Sequence, residues 1–262
     1  MIFKAIMGIG ERTTAYLSSF FDTLKFAAAC IILMFSPKSY SPASKMVLIK
    51  QIYFTTVQIV PLFSVMAVLF GSIIIGVVIS LATLYGLQSN IGSILITFVV
   101  DEFSPFFTAL LISLRSGTAV NTEIAVMNVN KELNSLKEYK IDIVSYLFIP
   151  RIVSGIISVT ALSIIFSMIM LTSGYIFTLF HLNMDLHTYK SILVHAVEVK
   201  DIAILLFKGI SFGFVVMFIP IHSGLKTANS YTAIPISVLN GMVKLFIALF
   251  FIEVISLLLQ SI

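Results

Sequence analysis

Fifty consecutive residues, from Gln51 to Val100, contain no Asp, Glu, Lys or Arg. A helix needs about 20 mostly apolar residues to cross the ~30 Å hydrocarbon core of a bilayer, so this run is long enough for two crossings. Its most polar part, residues 85–92, contains two glycines and an asparagine, which is typical of a turn. The run therefore predicts two membrane helices joined by a tight turn.

The rest of the chain has the same character. It is 59% hydrophobic and 11% charged, whereas soluble domains are about 45–50% apolar. Membrane strands would be segments of about ten residues with alternating polarity, but the apolar runs here are longer, continuous and rich in Leu, Ile and Phe. We therefore predict an all-α integral membrane protein with five transmembrane helices, at residues 54–83, 91–114, 148–179, 202–222 and 236–259.

The first fifty residues differ from the rest. Charged residues recur through residues 1–35, and the longest apolar run, Phe26 to Phe35, is too short to cross a bilayer. A Ser- and Pro-rich segment, residues 36–42, then interrupts the helical pattern. We predict an N-terminal region, residues 1–50, with an amphipathic helix in the membrane interface, and a transmembrane domain at residues 51–262. The alternative for the first region is a cytosolic cap.

Basic residues are distributed unevenly between the two sides of the predicted bundle. Twelve Lys and Arg residues fall in the N-terminal region, the 115–151 segment and the 223–235 loop, while Lys190 and Lys200 alone fall on the other side. The positive-inside rule places the N-terminus and the 115–151 segment in the cytoplasm and the C-terminus outside.

The 115–151 segment is the largest connection between spans. Its apolar positions follow a spacing of three and four residues, which predicts an amphipathic helix from about residue 123 to 144. Such a helix either docks in a groove of a soluble partner or lies on the membrane surface. We expect Asn121 or Thr122 to cap its start.

The ionisable residues inside the predicted spans include four at a similar depth: Asp101, Glu102, Lys208 and Glu253. Each costs about 2.5–3.5 kcal/mol to insert at the centre of a bilayer, so such residues are usually paired or functional. With a rise of ~1.5 Å per residue, all four lie in the same half of the bilayer. We predict a charged cluster around Lys208 in which at least one carboxyl is protonated or paired elsewhere. It either controls an internal cavity or is a structural ion pair between helices.

Other chemistries find little support. His181, His187 and His195 lack the spacing of metal ligands, and no nucleophile and base are paired, so we predict neither a metal site nor an enzyme. The chain has no Gly-x-x-x-x-Gly-Lys-Ser/Thr motif for holding a nucleotide. Its single cysteine, Cys30, excludes an internal disulfide.

The stretch from Asp101 to Arg151 resembles the signature region of the MlaE (YrbE-type) permeases. These are the membrane subunits of ABC systems that move phospholipids between the bacterial inner and outer membranes. The matching positions are Glu102, Pro105, Ala109, Leu110, Leu111, Arg115, Gly117, Ala119, Glu123, Ile124, Met127, Val129, Leu136, Asp142, Pro150 and Arg151.

The resemblance implies a homodimeric permease of the inner membrane that maintains outer-membrane lipid asymmetry, with a lipid cavity at the dimer interface. The 123–144 helix would be the coupling helix, resting on a cytoplasmic P-loop ATPase that binds the ATP, so the permease needs no cofactor of its own. The implied coupling residues are Arg115, Glu123, Met127, Leu133 and Leu136. Further implied partners are a periplasmic MCE-domain lipid-binding protein and a STAS-domain subunit.

The chain departs from the family pattern at several positions. Asp101 stands where the family has Arg, Lys131 where it has Glu, and Lys140 where it has Gly. These changes alter the local charge pairing. Two other functions stay open: a permease of another ABC class that imports a small solute, and a membrane scaffold that transports nothing. The scarcity of polar residues in the spans argues against a hydrophilic substrate path.

Overall fold

The computed structural model describes residues 21–182 and 185–260. Within those ranges the chain is helical, with no strand, and five helices are long and apolar enough to cross a membrane. We number them as spans 1 to 5: Pro42–Leu84, Ile91–Val129, Val144–Ile176, Val199–Leu225 and Ala233–Gln260. The predicted class and number of spans are thus confirmed, although several ends differ from the prediction.

Several spans are not uniform α-helices. Spans 1 and 2 each contain two π-helical segments, and span 3 begins with one. Span 1 consists of Pro42–Ile52, Tyr53–Val57 (π), Val60–Phe70, Gly71–Ile75 (π) and Gly76–Leu84. Span 2 consists of Ile91–Ile96, Thr97–Phe103 (π), Ser104–Ile112, Ser113–Gly117 (π) and Thr118–Val129. Span 3 consists of Val144–Phe148 (π) and most of the α-helix Ile149–Leu182, which continues beyond the end of the span. Shorter helices are Pro37–Ser39 and Gln88–Asn90 (both 3₁₀), Glu132–Glu138 and Leu186–Ala196.

The predicted turn between spans 1 and 2 is present. Gly86 has φ of +72°, a left-handed conformation that glycine adopts without a steric cost, and the 3₁₀ turn Gln88–Asn90 leads into span 2. The turn predicted from the Gly- and Asn-containing segment is therefore confirmed.

A helix over residues 21–34 precedes span 1. Phe26 and Cys30 pack into the core on one face, while Phe21, Ile32 and Phe35 are exposed on the other. The exposed surface is largely apolar but also carries Asp22 and Lys25, and the place of this helix at a membrane interface stays a prediction. Residues 1–20 of this predicted region lie outside the described residues.

Span 1 begins earlier than the sequence predicted. Pro42 occupies the first turn, and Ser41 caps the helix by accepting a hydrogen bond from the Ser44 backbone N–H at 3.2 Å. The helix therefore takes in Lys45 and Lys50.

The prediction of a single helix over residues 123–144 is wrong. Span 2 runs without interruption through Glu123 to Val129, and Lys131 then adopts a left-handed conformation with φ of 60°. A separate short helix, Glu132–Glu138, follows, and Lys140 again has a positive φ of 57°. Neither Asn121 nor Thr122 caps a helix, because both lie inside span 2.

Span 3 is the centre of the bundle and packs against spans 1, 2 and 4. It approaches span 4 closely where Gly155 faces Gly213. A Cβ added to Gly213 would lie 2.5 Å from the Ile156 Cα and 2.7 Å from the Gly155 carbonyl oxygen. Small residues let helix backbones approach closely in membranes, and Gly209, one turn before Gly213, packs against Thr160 of span 3 in the same way.

Candidate functional site

A buried lysine joins three spans near one end of the bundle. The side chain of Lys208, on span 4, is fully buried. Its ammonium donates hydrogen bonds to Glu102 Oε2 on span 2 and, at 3.1 Å, to Glu253 Oε1 on span 5. Both carboxylates are largely buried as well. Of the four residues that the sequence grouped, the structure thus brings Lys208 together with Glu102 and Glu253.

Glu102 has a further partner that the sequence did not indicate. Gln260, in the last turn of span 5, donates from Nε2 to Glu102 Oε1 at 2.9 Å and to Ser256 Oγ at 3.3 Å. Both oxygens of Glu102 thus accept a hydrogen bond. Glu253 is less well satisfied, because its Oε2 is buried and has no hydrogen-bond partner in the described part of the chain.

Asp101 is adjacent to this cluster but is not paired with Lys208. Its side chain is 2% exposed, and its Oδ1 lacks a hydrogen-bond partner among the described residues. The sequence correctly grouped Asp101 with the other three, yet only Glu102 and Glu253 bind the lysine directly. The π-helical segment Thr97–Phe103 carries Asp101 and Glu102. Such segments inside α-helices are frequent at functional sites.

A cavity of about 560 Å³ opens beside Asp101, between spans 2, 4 and 5. Its walls are both polar and apolar, and its volume is in the usual range for small-molecule sites. The lining residues are Thr97, Asp101, Lys200, Ala203, Ile204, Phe207, Ser256, Leu259 and Gln260.

A second polar group lies at the other end of span 2. Arg151 Nη2 donates to Glu123 Oε1 at 2.6 Å, joining the start of span 3 to the last part of span 2. Arg151 is 4% exposed and its Nε and Nη1 have no hydrogen-bond partner among the described residues, whereas the Glu123 side chain is about half exposed. Arg115 is exposed and donates to Gln58 Oε1 of span 1 at 3.1 Å. Arg115 and Glu123 line one cavity of about 290 Å³.

The predicted apolar docking face does not point outward. Leu133 is buried in the core, and Met127 and Leu136 pack against the core while only partly buried. What the Glu132–Glu138 helix and its flanks expose is mostly charged and polar, together with Tyr139, which is 79% exposed. The three apolar residues therefore hold this segment on the bundle, and any surface offered to a partner consists of their polar neighbours.

Small residues of spans 4 and 5 surround Asn121 near the end of span 2. Asn121 is fully buried and its amide donates to the Ser237 carbonyl at 3.4 Å. A Cβ on Gly241 would lie 2.3 Å from Asn121 Nδ2, and one on Gly224 would lie 2.8 Å from the Asn121 carbonyl oxygen. The end of span 2 is thus packed tightly between spans 4 and 5.

Comparison with known proteins places the chain among membrane permeases. The sequence model of a family described as "Permease MlaE" matches residues 48–259. A "Probable ABC transporter permease protein" of Rickettsia felis is 23% identical over 224 residues, covering 86% of this chain and 85% of that protein. The "Intermembrane phospholipid transport system permease protein MlaE" of Haemophilus influenzae is 27% identical over 183 residues, covering 68% of each chain.

Proposed function

Because the chain belongs to the MlaE permease family, we propose that it is the membrane subunit of an ABC transporter that moves phospholipids between the inner and outer membranes of a bacterium. The named Haemophilus influenzae relative supports the phospholipid substrate. In this proposal the protein lies in the inner membrane with its N-terminus in the cytoplasm, and its transport helps to maintain outer-membrane lipid asymmetry.

The observation that carries the proposal is the position of the charged cluster against a partly apolar cavity. The Glu102–Lys208–Glu253 cluster holds spans 2, 4 and 5 together, and the cavity beside Asp101 lies between the same three spans. A lipid needs both kinds of surface, since its head group is charged and its acyl chains are apolar. A transported small hydrophilic solute would not need the exposed Phe207 and Leu259 at the cavity wall.

In the proposed mechanism, a partner protein supplies the energy for transport. A cytoplasmic P-loop ATPase binds and hydrolyses ATP, and its closure moves the 130–142 segment that joins spans 2 and 3. The Glu123–Arg151 pair links these two spans and would transmit that movement into the bundle. At the other end, separation of Glu102 or Glu253 from Lys208 would open the cavity, and renewed pairing would close it.

The assembly we propose contains two copies of this chain with a lipid cavity at their interface. A periplasmic MCE-domain protein would exchange lipid with that cavity, and a STAS-domain protein would bind on the cytoplasmic side. These partners follow from the family, and the polar surface around Lys137 and Tyr139 is the part of this chain that we expect the ATPase to contact.

A pull-down tests this proposal directly. The tagged full-length protein is extracted in mild detergent, and co-purified proteins and lipids are identified by mass spectrometry, with membranes from cells expressing the untagged chain as the control. We expect a P-loop ATPase, an MCE-domain protein and enriched phospholipid. Recovery with an ATPase and a soluble solute-binding protein but without enriched lipid would contradict the proposal.

A further inference from the structure

The buried carboxyl group of Asp101 has an oxygen that lacks a hydrogen-bond donor among the described residues. Asp101 is 2% exposed, lines the cavity beside the charged cluster, and has an Oδ1 that receives no hydrogen bond from any described residue. A buried carboxyl oxygen without a donor is costly, and such groups in native structures normally have a partner. The cavity is the direction from which a donor can come.

The charges around the cavity point to a cationic donor. Lys208 donates its hydrogen bonds to Glu102 and Glu253, so its charge acts on Asp101 only from a distance, without a hydrogen bond. The negative charges of Asp201 and Glu102 also act on Asp101. Lys200 lines the cavity too, but its ammonium is paired with Glu198 at 3.1 Å and is largely exposed. An additional ammonium group would compensate the excess of negative charge.

The remaining walls favour a lipid over a free amine. Ile204, Phe207 and Leu259 contribute apolar surface to the cavity, and Phe207 and Leu259 are 50% and 59% exposed on the outside of the bundle. The cavity is therefore continuous with the apolar face that the hydrocarbon core would cover. A molecule with a charged head group and acyl chains can place the head group at Asp101 and leave its chains along these side chains.

We propose that the cavity between spans 2, 4 and 5 binds the head group of an amine-bearing, zwitterionic phospholipid, with Asp101 accepting hydrogen bonds from its primary ammonium. Lys200, which lines the cavity, would turn from Glu198 to the phosphodiester when the lipid binds. This inference rests on the proposed function and adds the class of head group to it.

The chemistry of Asp101 separates two zwitterionic lipids. Phosphatidylethanolamine carries an ammonium with three N–H donors, whereas the quaternary ammonium of phosphatidylcholine has none. Both have the same net charge and the same phosphodiester, so a difference in their binding reports the hydrogen bond. Phosphatidylglycerol has no cation at all and serves as the anionic comparison.

The experiment uses native mass spectrometry of the full-length chain in delipidated detergent micelles. Each of the three lipids, with identical acyl chains, is titrated and the apparent Kd of the first bound lipid is measured. We expect phosphatidylethanolamine to bind about tenfold more tightly than phosphatidylcholine, the ratio that one charge-assisted hydrogen bond supports. We expect Asp101→Asn to bring the ratio close to one. The matched control Glu138→Gln, which removes an exposed carboxylate far along the chain, should leave the ratio unchanged.

The outcomes separate this inference from the proposed function. Equal binding of the three lipids by the unmodified chain, or an unchanged ratio in a monodisperse Asp101→Asn variant, would overturn the head-group assignment while leaving phospholipid transport intact. Failure to bind any phospholipid would instead count against the proposed function itself. Displacement of phosphatidylethanolamine by soluble glycerophosphoethanolamine at a similar concentration would show a site for soluble amines and would overturn the lipid assignment. If the variant does not fold, the ratio measured with the unmodified chain decides.

Discussion

At the scale of single residues, the strongest constraint in this molecule is the burial of Lys208. A lysine with no exposed side-chain surface is tolerated because Glu102 and Glu253 surround its ammonium. The effect of substitutions on stability therefore depends on which of the three charges are removed. Removal of Lys208 leaves two buried carboxylates without their shared cation, whereas removal of all three charges together leaves no buried charge to compensate.

Lys208→Met should destabilise the protein because Glu102 and Glu253 would lose their shared cation. Breaking a buried ion pair costs about 3–5 kcal/mol, and the partial exposure of both acids puts the expected loss near the lower end. Thermal unfolding followed by circular dichroism in detergent measures it. Lys137→Met, at an exposed position, is the control and should change stability by less than ~0.5 kcal/mol. The triple variant with Glu102→Gln and Glu253→Gln should recover much of the loss; no recovery would contradict the ion-pair explanation.

Glu123→Ala should lower stability by about 1–3 kcal/mol, because buried Arg151 would lose its carboxylate partner. Glu123→Gln keeps an oxygen that can accept the same hydrogen bond and should lose less. The exposed Glu138→Ala serves as the control in the same thermal-unfolding measurement. Equal losses for the alanine and glutamine variants would argue against a role for the Arg151 hydrogen bond.

At the scale of helices, close packing depends on particular glycines. Gly213 faces the backbone of span 3, while Gly117 has only ordinary contacts, the nearest being 3.4 Å from its added Cβ to the Val216 carbonyl oxygen. The same substitution should therefore have opposite effects at the two positions. Gly213→Ala should cost about 1–3 kcal/mol through overpacking, and Gly117→Ala should be neutral or stabilise by up to about 1 kcal/mol through helix propensity. Unfolding midpoints of the two variants provide the comparison, and a tolerated Gly213→Ala would contradict the packing model.

The left-handed residues of the 130–142 segment offer a second matched pair. Lys140 has φ of 57°, a conformation that costs a side-chain-bearing residue roughly 1 kcal/mol and glycine little. Lys140→Gly should therefore raise the unfolding midpoint slightly. Lys137→Gly, inside the Glu132–Glu138 helix, should lower it by about 1 kcal/mol because glycine is a poor helix former. Two decreases would indicate that Lys140 makes a stabilising contact through its side chain.

These elements also show where sequence reasoning succeeded and failed. Hydropathy identified all five spans because long apolar runs have no other stable arrangement in a bilayer. It placed the end of span 2 too early, since the helix continues into polar residues whose backbone is supported by packing of Asn121 against Gly224 and Gly241. The break at Lys131 could not be predicted, because a lysine carries no sequence signal for a left-handed conformation.

The candidate site was predictable to a similar extent. Glu102, Lys208 and Glu253 were conspicuous because charges inside apolar runs are rare, and helical rise placed them at one depth. Gln260 was missed, since a polar residue at the end of a predicted span needs no special explanation. The cavity beside Asp101 depends on how three helices meet, and no spacing along the chain encodes it.

At the scale of the whole molecule, the predicted orientation can be tested with the protein's own cysteine as background. Cys30 is buried, and burial raises the pKa of its thiol to about 11, so it should react slowly with maleimides at neutral pH. In spheroplasts, a membrane-impermeant maleimide should label Ser89→Cys, between spans 1 and 2. It should label Asn134→Cys only after permeabilisation. The reverse pattern would invert the assigned topology.

The described π-helical segments are distributed unevenly over the five spans. Spans 4 and 5 are uninterrupted α-helices as described, whereas spans 1 and 2 contain two π-helical segments each. Glu102 lies in one of them, and its partners Lys208 and Glu253 lie on the uninterrupted helices. The ion cluster therefore joins a span that contains π-helical segments to two spans that are continuous α-helices. In the coupling that we propose, a movement of the 130–142 segment would distort span 2, and the distortion would reach the contact between Glu102 and Lys208 at the other end of the span.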